Sequence, residues 1–94
     1  MAALDLLGRR WALRVMWELR DEPLGFRRLQ ERCDAMSSSV LAQRLRELQD
    51  ALVLAVDEQG KWALTPLGRD LLDALAPLDA WSRRWGRAVA RRAT

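Results

Sequence analysis

The chain has no histidine and no tyrosine, and only one cysteine, one phenylalanine and three prolines among its 94 residues. Without histidine the commonest general base near neutral pH is missing, and no glycine-rich phosphate loop stands in its place. The carboxylates Asp70 and Asp73, and Asp21 and Glu22, sit on a helix surface and in a turn, without partner ligands of the right type or spacing for a metal. The composition therefore predicts no enzyme, no cofactor and no metal. Cys33, being alone, rules out an internal disulfide framework and suits a reducing compartment. The N-terminal apolar stretch carries Asp5 and lacks a basic region ahead of a long apolar segment, so it does not read as a signal peptide. No apolar run approaches the length needed to span a bilayer. The expectation is a cytoplasmic protein with no membrane partner.

What is present is apolar, at 50% of residues, and unevenly charged. The formal net charge of +3 resides in the tail: five arginines fall in the last fourteen residues, leaving residues 1–80 with eleven basic against thirteen acidic side chains. The length fits a single domain, 1–94, and a domain this small buries only about 60 to 65% of its unfolded surface, so dimerisation would relieve a marginal core.

The apolar periodicity predicts a mainly helical fold with one small β-hairpin. Residues 2–7 form a short first helix and Trp11 to Arg20 a second, with Arg14 and Glu18 on its polar side. After Pro23 and Gly25, the spacing of Phe26, Leu29 and Cys33 gives a third helix with one apolar stripe, leaving Arg27, Arg28, Gln30 and Glu31 to face water. Ser37 to Asp50 opens on a serine run able to cap free N–H groups and continues in good helix formers. Val53–Asp57 and Lys61–Thr65 have strand composition around a turn containing Gly60. Thr65 followed by Pro66 reads as an N-cap with proline in the first helical position, starting a helix that Pro77 should kink or break. Beyond it, Leu78, Trp81, Trp85 and Val89 continue an apolar stripe, with Arg83, Arg84, Arg87 and Arg91 largely off it.

Three helices, a hairpin and further helix, in that order, describe a winged helix-turn-helix, with the helix-turn-helix at about 26–50, a short wing at about 53–65 and C-terminal dimerisation helices at about 66–91. At about 100° per residue, Val40, Leu41, Leu45, Leu48 and Leu52 share one arc of segment 37–50, with Ser39, Gln43 and Arg46 opposite. Amide and guanidinium groups there suit adenine and guanine edges in a major groove. Ser37 and Ser38, at the positive end of the helix dipole, suit a phosphate oxygen and would position rather than specify.

Three stretches then resemble a known family, the HxlR-type winged-helix regulators, bacterial transcription factors related in fold to the MarR group. ALDLLGRRWALRVMWEL resembles that family's opening segment, with Gly8 and Trp11 at its glycine and tryptophan positions. LGFRRLQERCDAMSSSVLAQRLREL resembles its helix-turn-helix, matching at Phe26, Leu29, Ser37, Val40, Leu41, Gln43, Arg44, Leu45, Arg46 and Leu48, and LTPLGRDLL its post-wing segment. The resemblance implies a transcriptional regulator that reads double-stranded DNA with segment 37–50, and the excess of large apolar side chains in so short a chain adds the expectation of a homodimer, acting as a repressor. Expected DNA-binding residues are Ser37, Ser38, Ser39, Gln43, Arg44, Arg46 and Lys61; expected dimer-interface residues are Leu4, Leu7, Trp11, Leu78, Trp81, Trp85 and Val89. The chain departs from the family in lacking an N-terminal sensing cysteine, in having Leu52 where glycine is usual after the recognition helix, and in entering the wing with Ala55 and Val56. Asp57 and Glu58 beside a single Lys61 give the wing little positive charge for phosphate.

Alternatives attach to several of these residues. Arg44 lies nearer the buried arc than Arg46, so an internal ion pair competes with phosphate contact. Cys33 on an apolar stripe packs as a small hydrophobe. The tryptophans pack a core or a dimer interface, or line a pocket for a small aromatic effector. The acidic body and wing tip leave one rival function, a winged-helix protein-interaction module that has lost DNA binding.

Overall fold

Side chains at helical spacing with one apolar stripe must bury it against a neighbour, and here five helices and a hairpin do so around one core. The structure is a computed structural model that describes the backbone of residues 2–93 and the side chains of residues 5–93. Its elements are α1 (Ala2–Leu7), α2 (Ala12–Glu18), α3 (Phe26–Arg32), α4 (Ser38–Asp50), β1 (Leu54–Val56), β2 (Trp62–Leu64) and α5 (Pro66–Ala93). The winged helix-turn-helix order expected from the sequence is the order observed.

The core is entirely apolar. Val15 and Met16 of α2 and its C-cap Leu19 meet Leu29 and Cys33 from α3 and its C-terminal end, and Leu41, Leu45 and Leu48 of α4, with Leu24, Met36, Val53 and Leu54 closing the cluster. Cys33 is fully buried, as its stripe position predicted, and burial raises its thiol pKa despite the opposing pull of the Arg14 charge.

The elements differ from the sequence expectation at four places. The second helix begins at Ala12, because Trp11 takes a left-handed conformation (φ 77°) and serves as the turn out of α1. The wing is shorter, pairing only Leu54 with Leu64, Ala55 with Ala63 and Val56 with Trp62. It gains a one-residue third strand, since Leu24 and Trp62 exchange both backbone hydrogen bonds at 3.0 and 2.8 Å. Pro77 does not break the C-terminal segment: α5 runs without interruption through 28 residues, so one helix replaces the expected pair. A proline in a helix interior costs the bond to the residue four before it, and here helix on either side carries the chain across.

Leu52 is the fourth difference. Placed by angular arithmetic on the buried arc, it instead lies past the end of α4, left-handed (φ 66°) and 67% exposed. That is the C′ position where glycine is common, and the reversal it makes sends Val53 inward.

From Ala76 onward every described residue of α5 is exposed. The helix projects beyond the core, stretching the molecule to 49 × 27 × 24 Å with a radius of gyration of 14.6 Å, against about 13 Å for a compact chain of this size.

Candidate nucleic-acid interface

The serine run works as its composition suggests. Ser37 is the N-cap of α4, its hydroxyl accepting from the Val40 backbone N–H at 3.5 Å and pairing with the Ser39 hydroxyl at 2.9 Å. Ser38 is held from the preceding helix: Gln30 Nε2 donates to the Ser38 hydroxyl at 2.9 Å and to the Met36 carbonyl at 2.8 Å. Gln30, expected to face water, thus ties α3 to the start of α4. No sequence spacing marks it, because the bond depends on the turn through Asp34 and Ala35, both left-handed (φ 59° and 54°).

The outer face of α4 carries Ser39, Gln43 and Arg46, all exposed, and among the described residues the Gln43 and Arg46 side chains make no hydrogen bond or ion pair. Arg44 behaves differently. Its side chain is only 13% exposed, Nε donates to the Arg10 carbonyl at 2.8 Å, and one terminal nitrogen meets Glu47 at 2.6 Å. Arg44, expected among the DNA-binding residues with an internal ion pair as the competing reading, joins α4 to the turn before α2 and pairs with Glu47.

A third fastening holds the far end of α4. The Thr65 hydroxyl donates to the Leu52 carbonyl at 2.6 Å and accepts from the Gly68 N–H at 2.9 Å, while the Thr65 N–H donates to the Val53 carbonyl at 3.0 Å. Thr65 is therefore both N-cap of α5 and bridge to the end of α4. Gly68 is required by close approach, since a Cβ there would run into the Val53 carbonyl. With Gln30, Arg44 and Thr65 fixing its start, middle and end, α4 is presented on a rigid frame.

At the wing, Asp57 is engaged by its own turn, its carboxylate accepting from the Gln59 and Lys61 N–H groups at 2.8 and 2.9 Å. Gly60 supplies the positive φ of 77°. Lys61 is exposed beside it, and its ammonium makes no ion pair among the described residues.

Away from α4, Arg14 donates to Glu18 at 2.9 Å, to Asp34 at 3.3 Å and to the Arg32 carbonyl at 2.8 Å, tying α2 to the end of α3. The Glu18 hydrogen bond raises the Arg14 pKa. Of the residues named for a dimer interface, Leu7 and Trp11 are half-buried against the core. Leu78, Trp81, Trp85 and Val89 are about half exposed along α5, with the two indoles stacked at 5.9 Å. The Leu4 side chain lies outside the described residues. A groove of about 470 Å³ runs between α2 and α5, floored by Leu13, Trp17, Leu72 and Leu75 with Arg20 and Arg69 at its edge. Of the tryptophans, Trp17 lines it. Among the described residues no cluster of three or more His, Cys, Asp or Glu could hold a metal, and no helix is long and apolar enough to cross a membrane.

Known proteins share this architecture. The chain is 26% identical over 89 residues to the HTH-type transcriptional regulator YvaP of Bacillus subtilis, covering 88% of this chain and 82% of that one. Its fold superposes on quinone-bound YodB of B. subtilis with a TM-score of 0.82 at 29% identity, over 88% of this chain and 93% of the other. A structure described as a MarR-family transcriptional regulator from Enterococcus faecalis V583 gives the same TM-score and identity over 96% and 87%. The model of the HxlR-like helix-turn-helix matches residues 6–90, and the chain belongs to that family of DNA-binding transcriptional regulators.

Proposed function

We propose that the protein is a sequence-specific repressor that binds DNA as a homodimer, with α4 in the major groove. The observation that carries this reading is the outer face of α4, where Gln43 and Arg46 stand exposed and, among the described residues, unpaired on a helix fastened at both ends. Gln43 and Arg46 read base edges, Ser37, Ser38 and Ser39 contact phosphate, and Lys61 adds a backbone contact from the wing. Arg44 is left out of this set, because its guanidinium is engaged within the protein. A two-fold dimer places the recognition helices about 34 to 36 Å apart on a pseudo-palindromic site. Its interface is built from α1 and the exposed stripe of α5, and its place of action is the cytoplasm.

The test is fluorescence anisotropy with a random 30-base-pair duplex and with DNA from upstream of the protein's own gene, across a salt series. Binding should favour the upstream DNA, weaken steeply with salt, and lose its preference in the Gln43→Ala, Arg46→Ala double variant. Weak binding to both duplexes, indifferent to the double substitution, would remove base readout by α4 and leave a protein-interaction module.

A second element is effector control. The relative YodB has been seen with a quinone bound, and the groove between α2 and α5 offers an apolar floor with a tryptophan, rimmed by Arg20 and Arg69 and by Asp21, Asp73 and Asp79, suited to a small aromatic ligand. Such a ligand should quench Trp17 fluorescence. A panel of aromatic acids and quinones that leaves the emission of wild type and Trp17→Phe equally unchanged would remove this element.

A further inference from the structure

The outer face of α4 does not end at Arg46. Ser39, Gln43, Arg46 and Asp50 follow one another at steps of four, three and four, and at about 100° per residue Asp50 falls about 180° from buried Leu41, in the middle of the exposed arc. Asp50 is exposed, and its carboxylate makes no hydrogen bond or ion pair among the described residues. Two features of the helix explain why it stands open. It lies in the last turn, where a carboxylate faces the negative end of the helix dipole. Arg46 stands four residues before it, the basic-before-acidic order that pairs less well than its reverse, and the two form no ion pair. The other acid of α4, Glu47, is committed to Arg44 at 2.6 Å, with Arg9 at 3.9 Å. Asp50 is therefore the uncommitted carboxylate of α4, on the face assigned above to the major groove.

We infer that Asp50 is a specificity-determining residue that accepts a hydrogen bond from the N4 amino group of a cytosine. The inference rests on the major-groove reading by α4 proposed above and adds a base to it. An ionised carboxylate can only accept. Along the major-groove edges guanine offers two acceptors, thymine an acceptor and a methyl group, and adenine a donor beside an acceptor. Cytosine alone offers a donor with no acceptor next to it on the same base. A phosphate in that place would meet like charge, so the outward carboxylate fits a pose in which the C-terminal end of α4 lies over base edges and its serine-bearing start lies at the backbone. Asp50 is one turn beyond Arg46, about 6 Å along the helix axis, or about two base pairs at roughly 3.4 Å each.

The test is selection from a 30-base-pair duplex library with a randomised centre, using the full chain and its variants. Wild type should enrich a motif with one position preferring cytosine, about two base pairs from the position whose preference is lost in Arg46→Ala. Asp50→Ala should flatten the cytosine position alone, with competition binding giving about a five-fold or greater loss of discrimination against thymine there. Asp50→Asn should turn the preference toward adenine, since an amide donates to N7 and accepts from the N6 amino group. Both substitutions remove an exposed, unpaired carboxylate from the last turn of a helix, so thermal melts should not fall below wild type, and a changed motif then reports recognition rather than folding. A motif unchanged in both Asp50 variants, with affinity for every duplex raised alike, would make the carboxylate a repeller of phosphate only; that overturns the inference while readout by Gln43 and Arg46 stands. No enriched motif from wild type, or one indifferent to the Gln43→Ala, Arg46→Ala double variant as well, would remove readout by α4 and the inference with it.

Discussion

Leu52 holds a conformation that L-residues avoid, and replacing it with glycine should stabilise the protein. The left-handed backbone costs about 1–2 kcal/mol for a residue with a Cβ, and glycine gives back about 0.5–1 kcal/mol of that through its greater freedom in the unfolded chain. The leucine side chain offers little to offset the difference. It is 67% exposed, and a realistic unfolded chain already covers part of each apolar side chain, so its net burial on folding is close to nothing. The backbone bonds at this position, from the Leu52 N–H to the Gln49 carbonyl at 3.0 Å and from Thr65 to the Leu52 carbonyl, are available to any residue. Leu52→Gly should therefore gain about 0.5–1 kcal/mol, which for a domain of this size raises Tm by about 2–8 °C. Calorimetry on wild type, Leu52→Gly and Leu52→Ala at one fixed concentration measures this, because the proposed dimer would make Tm depend on concentration. Alanine keeps the Cβ and should give no gain. If glycine and alanine leave Tm equally unchanged, the strain assigned to Leu52 is absent and the reasoning fails.

The same frame gives further outcomes. Gly68→Ala should lower stability by about 1–3 kcal/mol or more, since its Cβ meets a backbone carbonyl that cannot swing aside; a thermal melt measures it. Arg44→Ala should cost about 1.5–3 kcal/mol in denaturant unfolding through its lost charged hydrogen bonds, whereas Arg46→Ala should leave stability within about 0.5 kcal/mol while weakening DNA binding. Thr65→Val removes a cap and a bridge between α4 and α5, and should cost about 1–2 kcal/mol by the same assay. For Cys33 the folded-state pKa is raised by burial, so above the ordinary thiol range the unfolded chain binds fewer protons and stability falls with pH. Urea midpoints across pH 8–10 should decline in wild type, with that part of the slope missing in Cys33→Ala; identical slopes would refute the assignment.

Much of the fold was legible because its signals are local. The serine cap and the apolar arc of Leu41, Leu45 and Leu48 placed α4 within a residue of its observed start, and Thr65 with Pro66 placed the start of α5. The Cys33 position on its stripe was enough to bury it. The candidate site was legible in part: periodicity put Ser39, Gln43 and Arg46 on the outer face and Arg44 nearer the buried arc, while the bonds of Arg44 to Arg10 and Glu47 came only with the fold.

Other features had no local signal. Leu24 pairs with Trp62 across 38 positions of sequence, Gln30 reaches Ser38 only because two left-handed residues fold the turn between them, and Leu52 leaves the helix where its angular position would have buried it. The continuity of α5 through Pro77 could not be read either, because proline removes one hydrogen bond while helix on both sides sets whether the chain runs on. The sequence by itself determined periodicity, caps and charge placement, since these depend on residues within a turn or two of each other. Tertiary structure alone decided which arginine is presented and which is tied down, where the left-handed reversals fall, and that the distal half of α5 stands free of the core, since each depends on partners brought together by folding.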